Sequence, residues 1–211
     1  MKIVTEETIA ESSRALARRD KDLAGILKRL GPPPLWARKP GFATLVHIIL
    51  EQQVSLASAK AAFDRLQKTI SIVNPQRFLT LDDVMLKTIG FSRQKTLYCR
   101  LLAQALIDRE ILLNRFDSMD DDEIRVELKK LKGVGDWTAD IYLLMALRRP
   151  DVWPKGDLAL LVAMQQLKGL HSRPTQHEFE EIGERWRPYR SIAARMLWHF
   201  YLSKENAKQA K

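Results

Sequence analysis

Asp157 stands directly before LALLVAMQQL, an apolar run of helical length, and this pattern predicts an N-cap or first-turn carboxylate. The helix dipole favours the anion at such a position. A carboxylate there can serve as a simple cap, or it can orient a water or stabilise a developing cation. Upstream, Lys132–Gly135 (KGVG) reads as a tight turn before another helical run. Gly133 and Gly135 lack side chains, so the backbone of another molecule can approach them. The helix start behind them offers unpaired N–H groups, an anion site that suits a nucleic-acid phosphate. Lys132, with Lys129 and Lys130, adds positive charge. A GxG of this length is equally an ordinary turn between two helices. Trp137 follows in the first turn of the next helix, where it either packs in the core or stacks on a base extruded from a duplex.

The elements that must position these groups read as helices throughout. The pattern predicts helices over Glu6–Arg18 and Lys21–Leu30, with Gly31 and Pro32–Pro34 stopping the second. Phe42–Glu51 is strongly apolar and reads as a buried helix; Ser55–Ile70 is the next, with Ser55 as N-cap. Between them lies the short corner Gln52-Gln53-Val54. Further helical segments are expected in Pro75–Leu86 and in Leu86–Leu106, where Gly90 makes a break. Arg93 and Lys95 either flank a phosphate or belong to a solvated face. Ser118–Lys130 carries an acidic DDDE start that suits the dipole and leads into the glycine turn. Helices over Asp136–Leu147, Asp157–Lys168, Gln176–Arg185 and Ser191–Lys204 complete the chain, with Gly169 ending the second of these. No stretch alternates with a strand period, so the expected class is all-α with about ten helices.

Composition narrows the chemistry. Among 211 residues, 35 Lys and Arg face 26 Asp and Glu, and the resulting +9 favours a polyanionic partner. Cys99 is the only cysteine, which excludes an internal disulfide and a four-cysteine iron–sulfur cluster. His47, His171, His177 and His199 have no HExxH or similar spacing, so no catalytic zinc is expected. No apolar run approaches membrane-spanning length and no signal peptide is visible, so an intracellular protein without a membrane partner is expected.

LKGVGDWTA followed by Asp157 resembles the helix–hairpin–helix/Gly-Pro-Asp superfamily of DNA base-excision glycosylases. ILEQQVSLASAKAAFDRL and ERWRPYRSIAARMLWHFY are similar to the 3-methyladenine DNA glycosylase II (AlkA-like) family, and the likeness runs from about Asp20 to Leu202. With no strands at its start, the chain resembles the compact type without the N-terminal β domain. The resemblance implies two helical lobes with a DNA- and base-binding cleft between them. One lobe would combine 1–40 with 148–211; the other would span 41–147 and end in the helix–hairpin–helix at about 123–147.

The resemblance further implies a monofunctional DNA-3-methyladenine glycosylase of base excision repair. It would flip 3-methyladenine or 7-methylguanine out of damaged double-stranded DNA and leave an abasic site. Asp157 would be the catalytic group, and Trp137, Trp198 and Tyr142 would contact the base; the family's further aromatic aligns with Ile141, one residue before Tyr142. Gln52 and Gln53 would face the minor groove, with Gln53 at the wedge position, and Lys132, Gly133, Val134 and Gly135 would hold the DNA backbone. Carbonyls of Lys129, Leu131 and Val134 would ligate Na+ or K+, while no other cofactor is required. Trp137 occupies the place of the lysine that forms a Schiff base in bifunctional relatives, and Lys132 replaces the proline usual in the hairpin. A bifunctional glycosylase/lyase and a non-catalytic duplex-binding module are the alternatives. A monomer in the cytoplasm and nucleoid, or in a nucleus, is expected.

Overall fold

The computed structural model describes residues 3–209, with side chains described through residue 203. Its α-helices are α1 (Glu6–Ala17), α2 (Lys21–Leu30), α3 (Phe42–Glu51), α4 (Leu56–Ile70), α5 (Pro75–Leu79), α6 (Asp83–Ile89), α7 (Arg93–Ile107), α8 (Asp121–Lys129), α9 (Asp136–Ile141), α10 (Leu158–Lys168), α11 (Gln176–Glu184) and α12 (Arg190–Gln209). A 3-10 turn (Leu113–Ser118) precedes α8, and a π-helical turn (Tyr142–Ala146) follows α9. No strand occurs among the described residues. The chain divides into two compact units, Arg38–Tyr142 and a second made of Met1–Ala37 with Leu143–Lys211.

Local chemistry sets most helix ends. Asp20 caps α2 by accepting from the Asp22 and Leu23 N–H groups, and Gly31 ends it at φ +74°. The Ser55 hydroxyl accepts the Ser58 N–H at the start of α4. The helix expected from Ser118 instead starts at Asp121. Asp120 and Glu123 form a reciprocal capping box there, a stronger start than Ser118 offers, and the Ser118 hydroxyl donates back to the Arg115 carbonyl. The helix expected over Asp136–Leu147 is α-helical only to Ile141. Downstream, Arg195 Nη2 draws on the Leu144 carbonyl and the Arg149 N–H reaches the Leu143 carbonyl, so the ladder widens into the π turn.

In the Arg38–Tyr142 unit, α3 is the buried centre and packs against α4, α7 and α9. Leu45, Val46, Ile48 and Ile49 are fully enclosed, and in the same unit Phe78 meets Phe42 edge-on and Phe91 at a tilt. In the other unit, α12 packs on α1, α2 and α10. Trp153, Phe179 and Trp186 form its aromatic core, with the Trp186 indole donating to Asp20.

Candidate functional site

The turn between α8 and α9 is built from its glycines. Gly133 sits at φ +90°, and a Cβ there would lie 2.1 Å from the ring of Tyr98 on α7. Only glycine lets the turn rest on that ring. Gly135 is at φ −104° with open space where a side chain would go, and it N-caps α9 without a side-chain partner. Thus Gly133 serves the fold, while nothing within the protein requires Gly135. The Val134 N–H donates to the Leu131 carbonyl at 3.1 Å, closing the turn. Arg125 on α8 pairs with buried Asp140 on α9 at 2.8 Å and holds the two helices together.

The Gln52–Gln53 corner lies against this turn. Gln52 Nε2 donates to the Gly133 carbonyl and to Thr138 Oγ1, both at 2.9 Å. Its amide nitrogen therefore braces the hairpin from within, while the residue stays part-exposed at the corner. Gln53 is exposed at φ +56°. Lys95 Nζ donates to the Leu50 and Gln52 carbonyls, so it fixes the corner by capping α3 and is not a solvated cation. Gln52, Gln53, Lys95, Tyr98 and Gly133–Gly135 line one open pocket of about 370 Å³. Lys132 is exposed on the turn, and Lys129 is paired with Asp136. Trp137 is part-exposed at the start of α9.

The carbonyls of Lys129, Leu131 and Val134 belong to this one turn. The Leu131 oxygen has already accepted the Val134 N–H and keeps a second lone pair. Three neutral oxygens suit a weakly demanding alkali ion better than a transition metal. Among the described residues, no group of three His, Cys, Asp or Glu side chains could hold a metal ion.

In the other unit, Asp157 is the N-cap of α10 and is 7% exposed. Its Oδ1 accepts the Leu160 N–H at 2.9 Å and the Trp198 indole N–H at 3.2 Å. Two donors on one oxygen fix the carboxylate's orientation. Trp198 is 8% exposed, and Trp36 packs edge-on both against it and against His199. The sequence predicted both Asp157 and Trp198; the hydrogen bond between them lay beyond it.

A model of the HhH-GPD superfamily of base excision DNA repair proteins matches residues 46–188, more than half of the chain. The chain belongs to that superfamily. The HhH-GPD match spans the Gln52–Gln53 corner, the glycine turn and Asp157. Among curated relatives, the alkylbase DNA glycosidase-like protein mag2 of Schizosaccharomyces pombe is 26% identical over 89% of this chain and 91% of its own length. The DNA-3-methyladenine glycosylase 1 of the same yeast is 28% identical over 93% of this chain and 88% of its own. Among solved structures, the S. pombe 3-methyladenine DNA glycosylase in complex with abasic DNA superposes with a TM-score of 0.82 at 26% identity, covering 89% of this chain and 95% of that one. A DNA-3-methyladenine glycosidase from Bacillus halodurans, at 23% identity and a TM-score of 0.77, shares the fold.

One expected base contact of this HhH-GPD chain is removed by the geometry. Tyr142 is fully buried, and its hydroxyl accepts the Gly41 N–H at 3.0 Å. Its ring meets Phe116 edge-on, and burial pushes its pKa up to about 12. It is a core residue because the hydroxyl has a backbone partner inside its own unit. Of the pocket residues, Tyr98 carried no signal in the sequence, and Lys95, expected on a phosphate or a solvated face, turns to the Leu50 and Gln52 carbonyls instead. The carbonyls that Lys95 reaches lie 43 and 45 residues away, and the Tyr98 ring meets Gly133 of a distant turn, so nothing beside either residue in the chain marks the role.

Proposed function

We propose that this chain is a monofunctional DNA-3-methyladenine glycosylase that removes alkylated purines from damaged double-stranded DNA, acting as a monomer. The observation that carries this reading is the Asp157 carboxylate, fixed by the Leu160 N–H and the Trp198 indole at the start of α10.

Alkylation at N3 or N7 leaves a positive charge on the purine. The base can then depart neutral without prior protonation, so no general acid is needed. As the N-glycosidic bond lengthens, the sugar gains oxocarbenium character, and the Asp157 anion lowers the energy of that charge. Water then attacks C1′, and the same carboxylate accepts its proton. The glycine turn holds the DNA backbone, with Gly135 and the N–H groups at the start of α9 approaching a phosphate. An alkali ion on the Lys129, Leu131 and Val134 carbonyls would supply positive charge next to that phosphate. Gln53, exposed at the corner, enters the space left by the flipped base, while Trp137 stacks on the base. Trp137 supplies no amine, so the strand stays intact.

The test uses a duplex carrying one 7-methylguanine, scored for strand breaks before and after hot alkali. Breaks that appear only after alkali support the monofunctional reading. Breaks without alkali, together with a covalent adduct trapped by borohydride, make the protein a glycosylase/lyase.

Two substitutions separate the parts. Gly135→Ala places its methyl in open space, so the melting temperature should hold while affinity for any duplex falls about tenfold, the effect of losing a charge-assisted bond. Unchanged affinity would take Gly135 out of the interface. Trp198→Phe removes the N–H from Asp157 Oδ1. Base release should fall about 10-fold to 100-fold, with duplex affinity unchanged, as a bond to a charged group is lost. A normal rate would show that the indole does not position the carboxylate.

A further inference from the structure

Trp36 lies in the Pro-rich segment after α2, and its backbone sits at φ +45°. Bulky side chains avoid this left-handed region. Such outliers persist where the surroundings enforce them, and they gather at functional sites. Here the enforcing group is Arg195 on α12, which is fully buried. Its Nε donates to the carbonyl of Leu35, the residue before Trp36, at 2.9 Å. Its Nη2 and Nη1 donate to the Leu144 and Ser191 carbonyls. Burial pushes the pKa of the guanidinium down to about 10, and its three carbonyl acceptors offset the lost water.

The loop presents an indole to the catalytic neighbourhood. Trp36 packs edge-on against Trp198, with ring centroids 6.5 Å apart, and against His199 at 6.4 Å. Trp198 and His199 stand one helical turn beyond Arg195, so one stretch of α12 both clamps the loop and receives its ring. Trp198 has its N–H on Asp157 and is almost enclosed, whereas Trp36 keeps part of its surface exposed one indole away from the carboxylate. Burial lowers the pKa of His199, so it brings no positive charge to this corner.

We propose that Trp36 is the aromatic residue of this unit that recognises the alkylated base, and that its indole face selects positively charged purines. Trp198 then serves to hold Asp157. This assignment rests on the glycosylase reading and names the specificity determinant within it. A cationic purine is attracted to an indole face by the ring quadrupole, and tryptophan is the strongest of the aromatic side chains in this respect.

The test compares binding to two duplexes: one with a single 7-methylguanine on a 2′-fluorinated sugar that resists cleavage, the other unmodified. Asn tolerates the left-handed backbone, so Trp36→Asn removes the ring and keeps the turn. It should lower the preference for the methylated duplex between about fivefold and a hundredfold, the range for one base–aromatic stack, with affinity for the unmodified duplex unchanged. Trp36→Phe should lose less. An unchanged preference overturns the proposal, as does an equal loss on both duplexes. If Trp36→Asn does not fold, Trp36→Phe decides: a normal preference with a normal melting temperature overturns it. A wild-type protein with no preference for the methylated duplex removes the glycosylase reading itself, and this assignment with it.

Discussion

Asp157→Asn is expected to lower methylpurine release by about 10²–10³-fold or more, the loss typical of removing one electrostatic stabiliser from an active site. The substitution is conservative in every respect except charge. Asn ranks with Asp as an N-cap, so α10 keeps its start. Its side-chain oxygen can still accept the Leu160 N–H and the Trp198 indole, the two bonds that Asp157 Oδ1 makes. The melting temperature and the affinity for duplex DNA should therefore stay near wild type. What disappears is the negative charge that the proposed mechanism uses to stabilise the sugar and to accept the water's proton. Base release at more than about a tenth of the wild-type rate would mean that the carboxylate only caps the helix.

Gly133→Ala should be the most damaging change in the hairpin. Its Cβ would fall 2.1 Å from Tyr98 Cδ2 and 2.3 Å from Tyr98 Cγ, the fixed part of the ring, so the side chain cannot swing its far end away. The residue also sits at φ +90°, which alanine resists. Overpacking and backbone strain together should destabilise the Arg38–Tyr142 unit by about 2–5 kcal/mol. The Gly133 carbonyl would move as well, and with it the bond from Gln52 Nε2 that ties the corner to the turn. Duplex binding should fall along with stability, in contrast to Gly135→Ala. Urea unfolding measures the first effect. A midpoint equal to wild type would show that the turn is not packed on Tyr98.

The contrast between these glycines marks how far the sequence could be read. Both appear in KGVG as small residues before a helix, and nothing local separates the one that fits against a ring from the one that opens outward. The separation comes from Tyr98, which belongs to another helix. Helix ends fixed by their own neighbours were legible: Gly31 after α2, Ser55 before α4, and Asp157 and Gly169 at the ends of α10 all lie where capping chemistry places them. The all-α class followed from the same periodicities, and the superfamily from the hairpin, the corner and the Asp157 spacing.

What stayed hidden depends on groups far apart in the chain. Tyr142 bonds Gly41, which lies 101 residues away, so its removal from the base contacts was not readable beside it. Gln52 reaches the Gly133 carbonyl across 81 residues, so its part in bracing the turn was not readable beside it. Arg195 takes the Leu144 carbonyl from 51 residues away, which is why a continuous helical pattern after Asp136 breaks into a π turn. The Ser118 start had a nearer cause: Asp120 and Glu123 cap reciprocally, and a serine two residues earlier cannot compete.

The most direct measurement is to incubate the purified protein with methylated duplex DNA and identify what leaves it by chromatography. Free 3-methyladenine or 7-methylguanine should appear, in amounts matching the alkali-labile sites formed, and Asp157→Asn should release almost none. Wild-type protein that binds the duplex but frees no methylpurine would contradict the glycosylase assignment and leave a helix–hairpin–helix module that binds DNA without acting on it.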